Sequence, residues 1–394
     1  MSDAGGGDDN HLQDATTLDP FALDELDRQG PKYGILLPRS HAATILSRLS
    51  QTLHQYLVST LGYNNRLYYA STEQHQQYVI KICGRYWKHV KTETEVIGLW
   101  IASRYSGIPV PRVLAWDASG QEFGVEYVVM DRLEGVPLSE MWKAASLDTK
   151  LLLVAQIAHL VVRYKTCVPD DVLPRGTIGN FAFRGDKCGS LGGIEDFEIG
   201  ATLEGLGPWC SYKAFLRSQL EAKLQGVRTL PLMTGMLEVL PRIERLLQNL
   251  DEDAGIVDSD DFVFTHGDLH SKNLLVTSPT SSSPQISAVL DWEWSGMFPA
   301  EEEFLAAIDF LSCDKDSGNH PELESKFFSI LETGRVQTPR TIPHFEQRKA
   351  LCDLRENLLP WYLTDHGSPN SPEALQSAQE AKRTVVAVLE QLNY

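Results

Sequence analysis

Residues Phe264–Val276 read FTHGDLHSKNLLV, with His266, Asp268 and His270 alternating and Asn273 following. In an extended chain the two histidines and the aspartate share a face and could converge on a metal ion. A helical histidine pair of the metalloprotease type fits less well, because Gly267 disfavours the helix and the glutamate base of that motif is missing. Neither metal reading uses Asn273 or Asp291. Phosphoryl transfer uses all of them. It needs a carboxylate that orients a hydroxyl and takes its proton, and oxygen ligands for the Mg²⁺ that offsets the charge of a triphosphate. Asp268 and Asn273 stand at the Asp-x-x-x-x-Asn spacing of such a catalytic loop. NLLV and ISAVLDW then read as a hairpin around the Ser/Pro-rich turn 277–285, which delivers Asp291 as a second metal ligand.

A phosphotransferase also needs a cation on the phosphates. QYVIKIC (77–83) reads as a strand with Lys81 among apolar neighbours, where a lysine is costly without an anionic partner. The next helical segment, 91–105, offers Glu93 and Glu95; Glu95 precedes the apolar Val96, Ile97 and Leu99 and is the better placed to face inward. On its own, Lys81 reads equally well as a strand edge and Glu95 as a solvated side chain; the catalytic loop favours the pair.

Together THGDLHSKNLLV, AVLDWEWSGMFPAEEEF, YVIKI, GIPVPRVLAWD and YVVMDRLEGVPL resemble the aminoglycoside phosphotransferase family of small-molecule kinases, over about Gly62 to Phe304. The resemblance implies an α+β, bilobal protein-kinase-like fold, with a small mixed lobe carrying an antiparallel sheet and a larger, mostly helical lobe. It implies a boundary scheme of 31–130 for the nucleotide-binding lobe, 131–135 for a hinge and 136–394 for the catalytic and substrate-binding lobe. By motif match Asp268 is the catalytic base, Asn273 and Asp291 hold Mg²⁺, and Lys81, held by Glu95, binds the phosphates of ATP. Backbone groups of Met130, Asp131 and Arg132 would meet adenine. His266 is an architectural residue of the loop, and His270 stands where protein kinases carry lysine. The phosphate-covering loop falls at 62–66, with Gly62 and Asn65 as its candidate ligands; it has one glycine where a glycine-rich run is usual. The acceptor would be a hydroxyl of a small molecule: an aminoglycoside, an amino alcohol, a sugar or a secondary metabolite. A catalytically silent binding protein on the same fold and a protein kinase are the rivals, the latter disfavoured by His270.

Three further stretches carry weaker signals. In DWEW (291–294) the tryptophans read as packing under the site and Glu293 as a local hydrogen-bonding residue, with metal or substrate binding as its other reading. Glu301–Glu303 and Asp309 suit the first turn of a helix, or the rim of a site for an amine. Residues 175–215 are glycine-rich and read as a long irregular loop; the resemblance implies that it lies beside the substrate and ends in the turn Gly207-Pro208-Trp209.

The remaining readings bound the chain. Its 394 residues have room for a two-lobed core. A formal net charge of −18 argues against nucleic acid as a partner. Six scattered cysteines without a paired motif suit a reducing compartment. The acidic, glycine-rich start reads as neither signal nor transit peptide, residues 1–30 as disordered or loosely docked, and Leu151–Val162 as too short for a membrane span. A cytoplasmic protein is expected. Apolar residues at 45, 49, 53, 57 and 61 predict a helix over 40–61, and long helices are expected over 138–166, 211–226, 232–250, 300–312, 345–360 and 371–392.

Overall fold

The computed structural model describes residues 12–15, 30–60, 62–173, 175–190, 194, 196–252, 256, 258–259, 261–277, 283–305, 308–311, 320–364 and 372–394. Most of the N-terminal segment, Leu61, most of the 277–285 turn and residues 306, 307 and 312 therefore lie outside the described residues; of the helix expected over 300–312, only Glu302–Leu305 is helical among the described residues, and 308–311 are not. Of the first 29 residues, Leu12–Asp14 form strand β1, which pairs with the strand over 53–59.

The first predicted helix is half a helix. Helix α1 spans Arg39–Arg48, and the chain then turns through Ser50, at φ +59°, into strand β2, Leu53–Ser59. A spacing of four satisfies a helix face, yet four is also an even number, so Leu53 and Leu57 share a strand face as readily. Tyr56 and Val58 supply the buried face of β2, alternating as a strand requires.

Strands β3 (Asn65–Thr72) and β4 (Gln77–Cys83) follow as a hairpin, then helix α2 (Val90–Ser106), strand β5 (Val113–Asp117) and strand β6 (Tyr127–Asp131). The register of β4 sets Lys81 opposite Leu67 on β3 and Val128 on β6, in the middle of the sheet. Strand β7 (Val136–Pro137) leads into helices α3 (Leu138–Trp142) and α4 (Leu147–Thr166); the single helix expected over 138–166 is interrupted where the Ser146 side chain caps α4 by accepting from Thr149 N.

The stretch expected as an irregular loop carries three short strands between its turns: β8 (Gly179–Phe183), β9 (Cys188–Ser190) and β10 (Phe197–Ile199). β9 crosses back to the first sheet, whose antiparallel order is β1-β2-β3-β4-β6-β5-β9. The Gly207-Pro208-Trp209 turn is tied to the scaffold, since Trp209 and Ile178 exchange backbone hydrogen bonds and the Trp209 ring lies 5.2 Å from that of Phe215.

Helix α5 (Tyr212–Thr229) is followed by a 3₁₀ segment, Pro231–Val239, and helix α6 (Leu240–Asn249). Strand β11 (Val263–Thr265) leads into the quoted motif, then the hairpin β12 (Leu274–Thr277) and β13 (Gln285–Val289), and strand β14 (Gly296–Phe298). Helices α7 (Glu302–Leu305), α8 (Pro321–Thr333), α9 (Phe345–Leu358), α10 (Trp361–Thr364) and α11 (Pro372–Gln391) complete the chain. Two small sheets, β10-β8-β14-β11 and β13-β12-β7, hold the quoted motif at its ends, through β11 before it and β12 after it.

One apolar core joins α2, β5 and β6 to α4, α8 and the β11–β14 region, so the sheet lobe and the helical lobe share packing around Trp116, Phe181, Phe264 and Trp292. A second core belongs to α5, α6, α9 and α11 and a third to α1 and the first sheet. No helix among the described residues is long and apolar enough to cross a membrane.

Candidate active site

The catalytic segment is shaped by its backbone first. Gly267 sits at φ +80°, where a side chain is strained, and a Cβ there would meet the Trp294 carbonyl oxygen at 2.7 Å. Gly267→Ala is therefore expected to cost about 1–3 kcal/mol, read as a lower urea midpoint, and to displace Asp268 with it. An unchanged midpoint and unchanged turnover would contradict this account.

His266 is fully buried and fixes the next turn. Its ring Nε2 lies 2.9 Å from the Leu290 carbonyl, and its Nδ1 lies 3.2 Å from the Asp268 amide nitrogen. An amide can only donate, so Nδ1 accepts, Nε2–H donates, and the ring is held in one neutral tautomer. Burial pushes its pKa down, consistent with that neutral form. The His266 amide in turn donates to Glu303 Oε2 at 3.1 Å, and Glu303 is paired with the buried Lys165 at 2.9 Å.

Asp268 is half-buried, and its Oδ2 accepts from Asn273 Nδ2 at 3.1 Å. The same nitrogen donates to the Asp268 carbonyl at 2.9 Å, so the amide group of Asn273 is fixed by Asp268 at two points. His270 Nε2 lies 3.5 Å from Asp268 Oδ2, and hydrogen bonding to that carboxylate raises the imidazole pKa above its ordinary value. Ser271 donates through its amide to Asp309 Oδ1 at 2.8 Å and through its hydroxyl to Asp309 Oδ2. Asp309 is thus an anchor of the loop, a use that helix-dipole reasoning could not anticipate.

From the first sheet, Lys81 Nζ is bonded to three carboxylates: Glu95 at 2.8 Å, Asp291 at 2.6 Å and Glu293 at 2.8 Å. Burial would lower the lysine pKa, but Asp291, Glu293 and Glu95 together hold it well above its ordinary value. Three carboxylates exceed one ammonium, and the surplus is felt at Glu95. Burial pushes that carboxyl up to about 7, with Asp291 and Glu293 adding to the push and Lys81 opposing it. Glu93, the other candidate partner for Lys81, is held elsewhere by Lys187 at 2.6 Å and by the Phe183 amide at 2.7 Å.

Glu293 is the residue that sequence reasoning undervalued. Its bonds are not local: Oε2 takes both Lys81 and, at 2.6 Å, Asn65 Nδ2 from the start of β3. Asn65 thus faces the carboxylate cluster. Gly62, at φ +88°, turns the β2–β3 loop, and its carbonyl accepts from Lys32. The neighbouring Arg66 is structural, donating to the carbonyls of Ile35 and Lys32 at 2.9 and 3.0 Å.

The strand leaving the sheet is less free than expected. The Asp131 amide donates to Arg112 O at 3.1 Å and the Arg132 amide to Gln77 O at 3.1 Å, while the Asp131 carboxylate pairs with Arg112. Met130 lies inside the sheet opposite Val79 and Val113. The donors of Asp131 and Arg132 are therefore committed to the sheet lobe and are not free to meet a base. The first backbone beyond those bonds is Leu133–Gly135. Glu301 and Glu302 likewise face inward to partners, Arg348 at 2.5 Å and Arg355 at 2.8 Å, so they do not form a rim for an amine.

The donor set suits a divalent cation. Oxygens of Glu95, Asp291 and Glu293 lie within 4.8 Å of one another, with an excess of negative charge in a largely dry site. Asp291 adopts φ +63°, a left-handed conformation rare outside glycine and asparagine, and its backbone adjoins Asn273 through the Leu290 N to Asn273 O bond of 2.8 Å. Strain of this kind gathers where geometry serves chemistry.

A carboxylate held by the Asn273 amide, joined through the Leu290–Asn273 backbone bond to the segment that carries Asp291 into a lysine–carboxylate cluster, suits a phosphotransferase. The sequence profile of the phosphotransferase enzyme family, APH, matches residues 59–320. The chain belongs to this family. Among curated proteins no sequence matches it. Solved structures agree on the fold. The gentamicin complex of APH(2")-IIa superposes with a TM-score of 0.57 at 15% identity, covering 90% of this chain and 99% of its own. A putative aminoglycoside phosphotransferase of Ralstonia eutropha gives 0.53 at 17%, covering 94% and 97%. Macrolide 2'-phosphotransferase MphH of Brachybacterium faecium gives 0.51 at 14%, covering 86% and 97%. These neighbours establish a protein-kinase-like, two-lobed α+β fold for this member of the phosphotransferase enzyme family.

Proposed function

We propose that this phosphotransferase moves the γ-phosphoryl group of ATP to a hydroxyl of a small molecule, in the cytoplasm, with Mg²⁺ as its metal. The observation that carries the reading is the pairing of Asp268, bonded by Asn273, with a Lys81 cluster of three carboxylates whose Asp291 follows the residue bonded to Asn273. The lobes divide at 131–135, with the base seated beside the backbone of 133–135, the first that is free of the sheet. The streptomycin complex of APH(2")-IIa contains ATP, which supports the choice of nucleotide.

In this reading Asp268 accepts a hydrogen bond from the substrate hydroxyl and receives its proton as the oxygen attacks. The new O–P bond forms while the bond from the γ-phosphorus to the bridging oxygen breaks, and ADP leaves. Asn273 and Asp291 hold the metal, which when bound offsets the charge of the β- and γ-phosphates. Lys81, released from part of its carboxylate company, donates to the phosphates while Glu95 keeps it aimed. Almost all of the catalysis is positioning and electrostatics. The acceptor is drawn from aminoglycosides, amino alcohols, sugars or hydroxylated secondary metabolites.

The test is ADP release in Mg²⁺-ATP against a panel of those four acceptor classes, with the melting temperature followed alongside. We expect Mg²⁺-ATP to raise the melting temperature and one class to drive ADP release. A protein that neither gains melting temperature nor releases ADP would end the proposal.

A further inference from the structure

Lys91 is placed against three ordinary preferences at once. Its side chain is buried, with the residue 1% exposed, and its Nζ makes no hydrogen bond. A buried lysine nitrogen without an acceptor is destabilising by several kcal/mol in the general case. It lies in the first turn of α2, the end of a helix that favours anions over cations. Its Nζ keeps company with the face of the Trp87 ring, 5.8 Å from the centroid, and Trp87 itself holds a left-handed φ of +56°. Such a site is not assembled by packing alone.

The surroundings say what the nitrogen is for. Lys91 lines one crevice with Asn65, Lys81, Cys83, Glu95 and Glu293. It precedes Glu95 by four residues and so shares a face of α2 with it. Asn65 Oδ1, in the same crevice, is also without a hydrogen-bond partner. Burial pushes the Cys83 thiol up to about 11, with the Lys91 charge opposing that push, so the two side chains sense one another.

In the free cleft, one lysine, Lys81, serves Glu95, Asp291 and Glu293. If Lys81 turns to phosphates and Asp291 to the metal, Glu293 keeps only Asn65. We propose that Lys91 is a positioning residue that takes over Glu293 at that moment, so that Lys81 can leave for the phosphates without stranding a buried carboxylate. The proposal rests on the nucleotide reading given above. It makes Lys91 a residue held unpaired in the free protein and paired in the nucleotide-bound one.

The signature is opposite in the two states, which no ordinary structural lysine would produce. Lys91→Met keeps an unbranched side chain as far as Cε and removes the orphan nitrogen. The free variant is expected to melt at or above the wild type, whereas its Kd for Mg²⁺-ATP, measured by calorimetry, weakens about tenfold or more, as loss of a hydrogen bond to a charged group implies. Lys91→Gln keeps a donor without the charge and is expected to weaken nucleotide binding in the same direction. If the free Lys91→Met protein melts lower while its nucleotide affinity is unchanged, Lys91 is a structural residue and the proposal falls. A Lys91→Gln protein that binds nucleotide like the wild type overturns it too. A wild type that binds no nucleotide brings down the functional reading and this one together, whereas a wild type that binds as tightly as both variants brings down only this one.

Discussion

Asp268→Asn is expected to lower kcat by about 10²–10⁴-fold, the range for loss of a general base, with the acceptor KM and the Mg²⁺-ATP melting shift little changed. Asparagine fills the same space and can still accept a hydrogen bond, so the loop keeps its shape. Asn273 Nδ2 retains the Asp268 carbonyl as an acceptor at 2.9 Å, and the His266–Leu290 tether does not involve the substituted group. What asparagine cannot do is take the proton of the acceptor hydroxyl. The variant should therefore bind and not turn over, separating chemistry from folding. The substitution has a second, independent readout. His270 owes its raised pKa chiefly to the hydrogen bond with Asp268, so its imidazole titration should move down in the variant, as seen in NMR spectra of the ring protons. Turnover within a few-fold of the wild type would remove Asp268 from the role of base.

How legible the site was depended on the distance along the chain between interacting groups. Asp268, Asn273 and Asp291 lie on one loop and its hairpin, so their spacing foretold their nearness: Asn273 bonds Asp268, and Leu290, just before Asp291, bonds the Asn273 carbonyl. Lys81 and Glu95 were legible through cost: a lysine in the middle of a strand demands an anion, and the next helix offered one with apolar neighbours. Glu293 was misjudged because its second partner, Asn65, is 228 positions away and nothing in DWEW points to β3. Glu301 and Glu302 were explained locally by the helix dipole, yet Arg348 and Arg355 hold them, on a helix whose docking no local pattern specifies. The first helix failed for a different reason. Apolar residues four apart satisfy both periods, and only the turn at Ser50 ends the ambiguity. The β9 return to the first sheet was hidden for want of an apolar pattern, since Cys188–Ser190 are exposed and bound through their backbone.

Glu303 carries the second large effect, this time on stability. Its Oε2 takes both the Lys165 ammonium at 2.9 Å and the His266 amide at 3.1 Å, and both partners are buried. Glu303→Ala leaves Lys165 with the Phe264 carbonyl, at 3.2 Å, among its remaining acceptors and strands the His266 amide. Breaking a buried pair from one side costs about 3–5 kcal/mol, so a marked fall in urea midpoint is expected. Turnover should fall as well, because His266 positions the Asp268 amide. The effect has a pH signature. Burial alone would raise the Glu303 pKa, but Lys165 and His266 overrule it and hold the carboxyl below its ordinary value. A lowered pKa in the folded state contributes stability above the unfolded value of about 4.3 and loses it as pH falls through the folded value. The gap between wild type and Glu303→Ala should therefore be full at neutral pH and narrow on acidification below that range. Adding Lys165→Met to Glu303→Ala should recover part of the loss, since it removes the stranded charge, but not all of it, because the His266 amide remains without its acceptor. A single variant as stable as the wild type at neutral pH would mean that the ion pair contributes nothing net and that packing alone holds the catalytic loop.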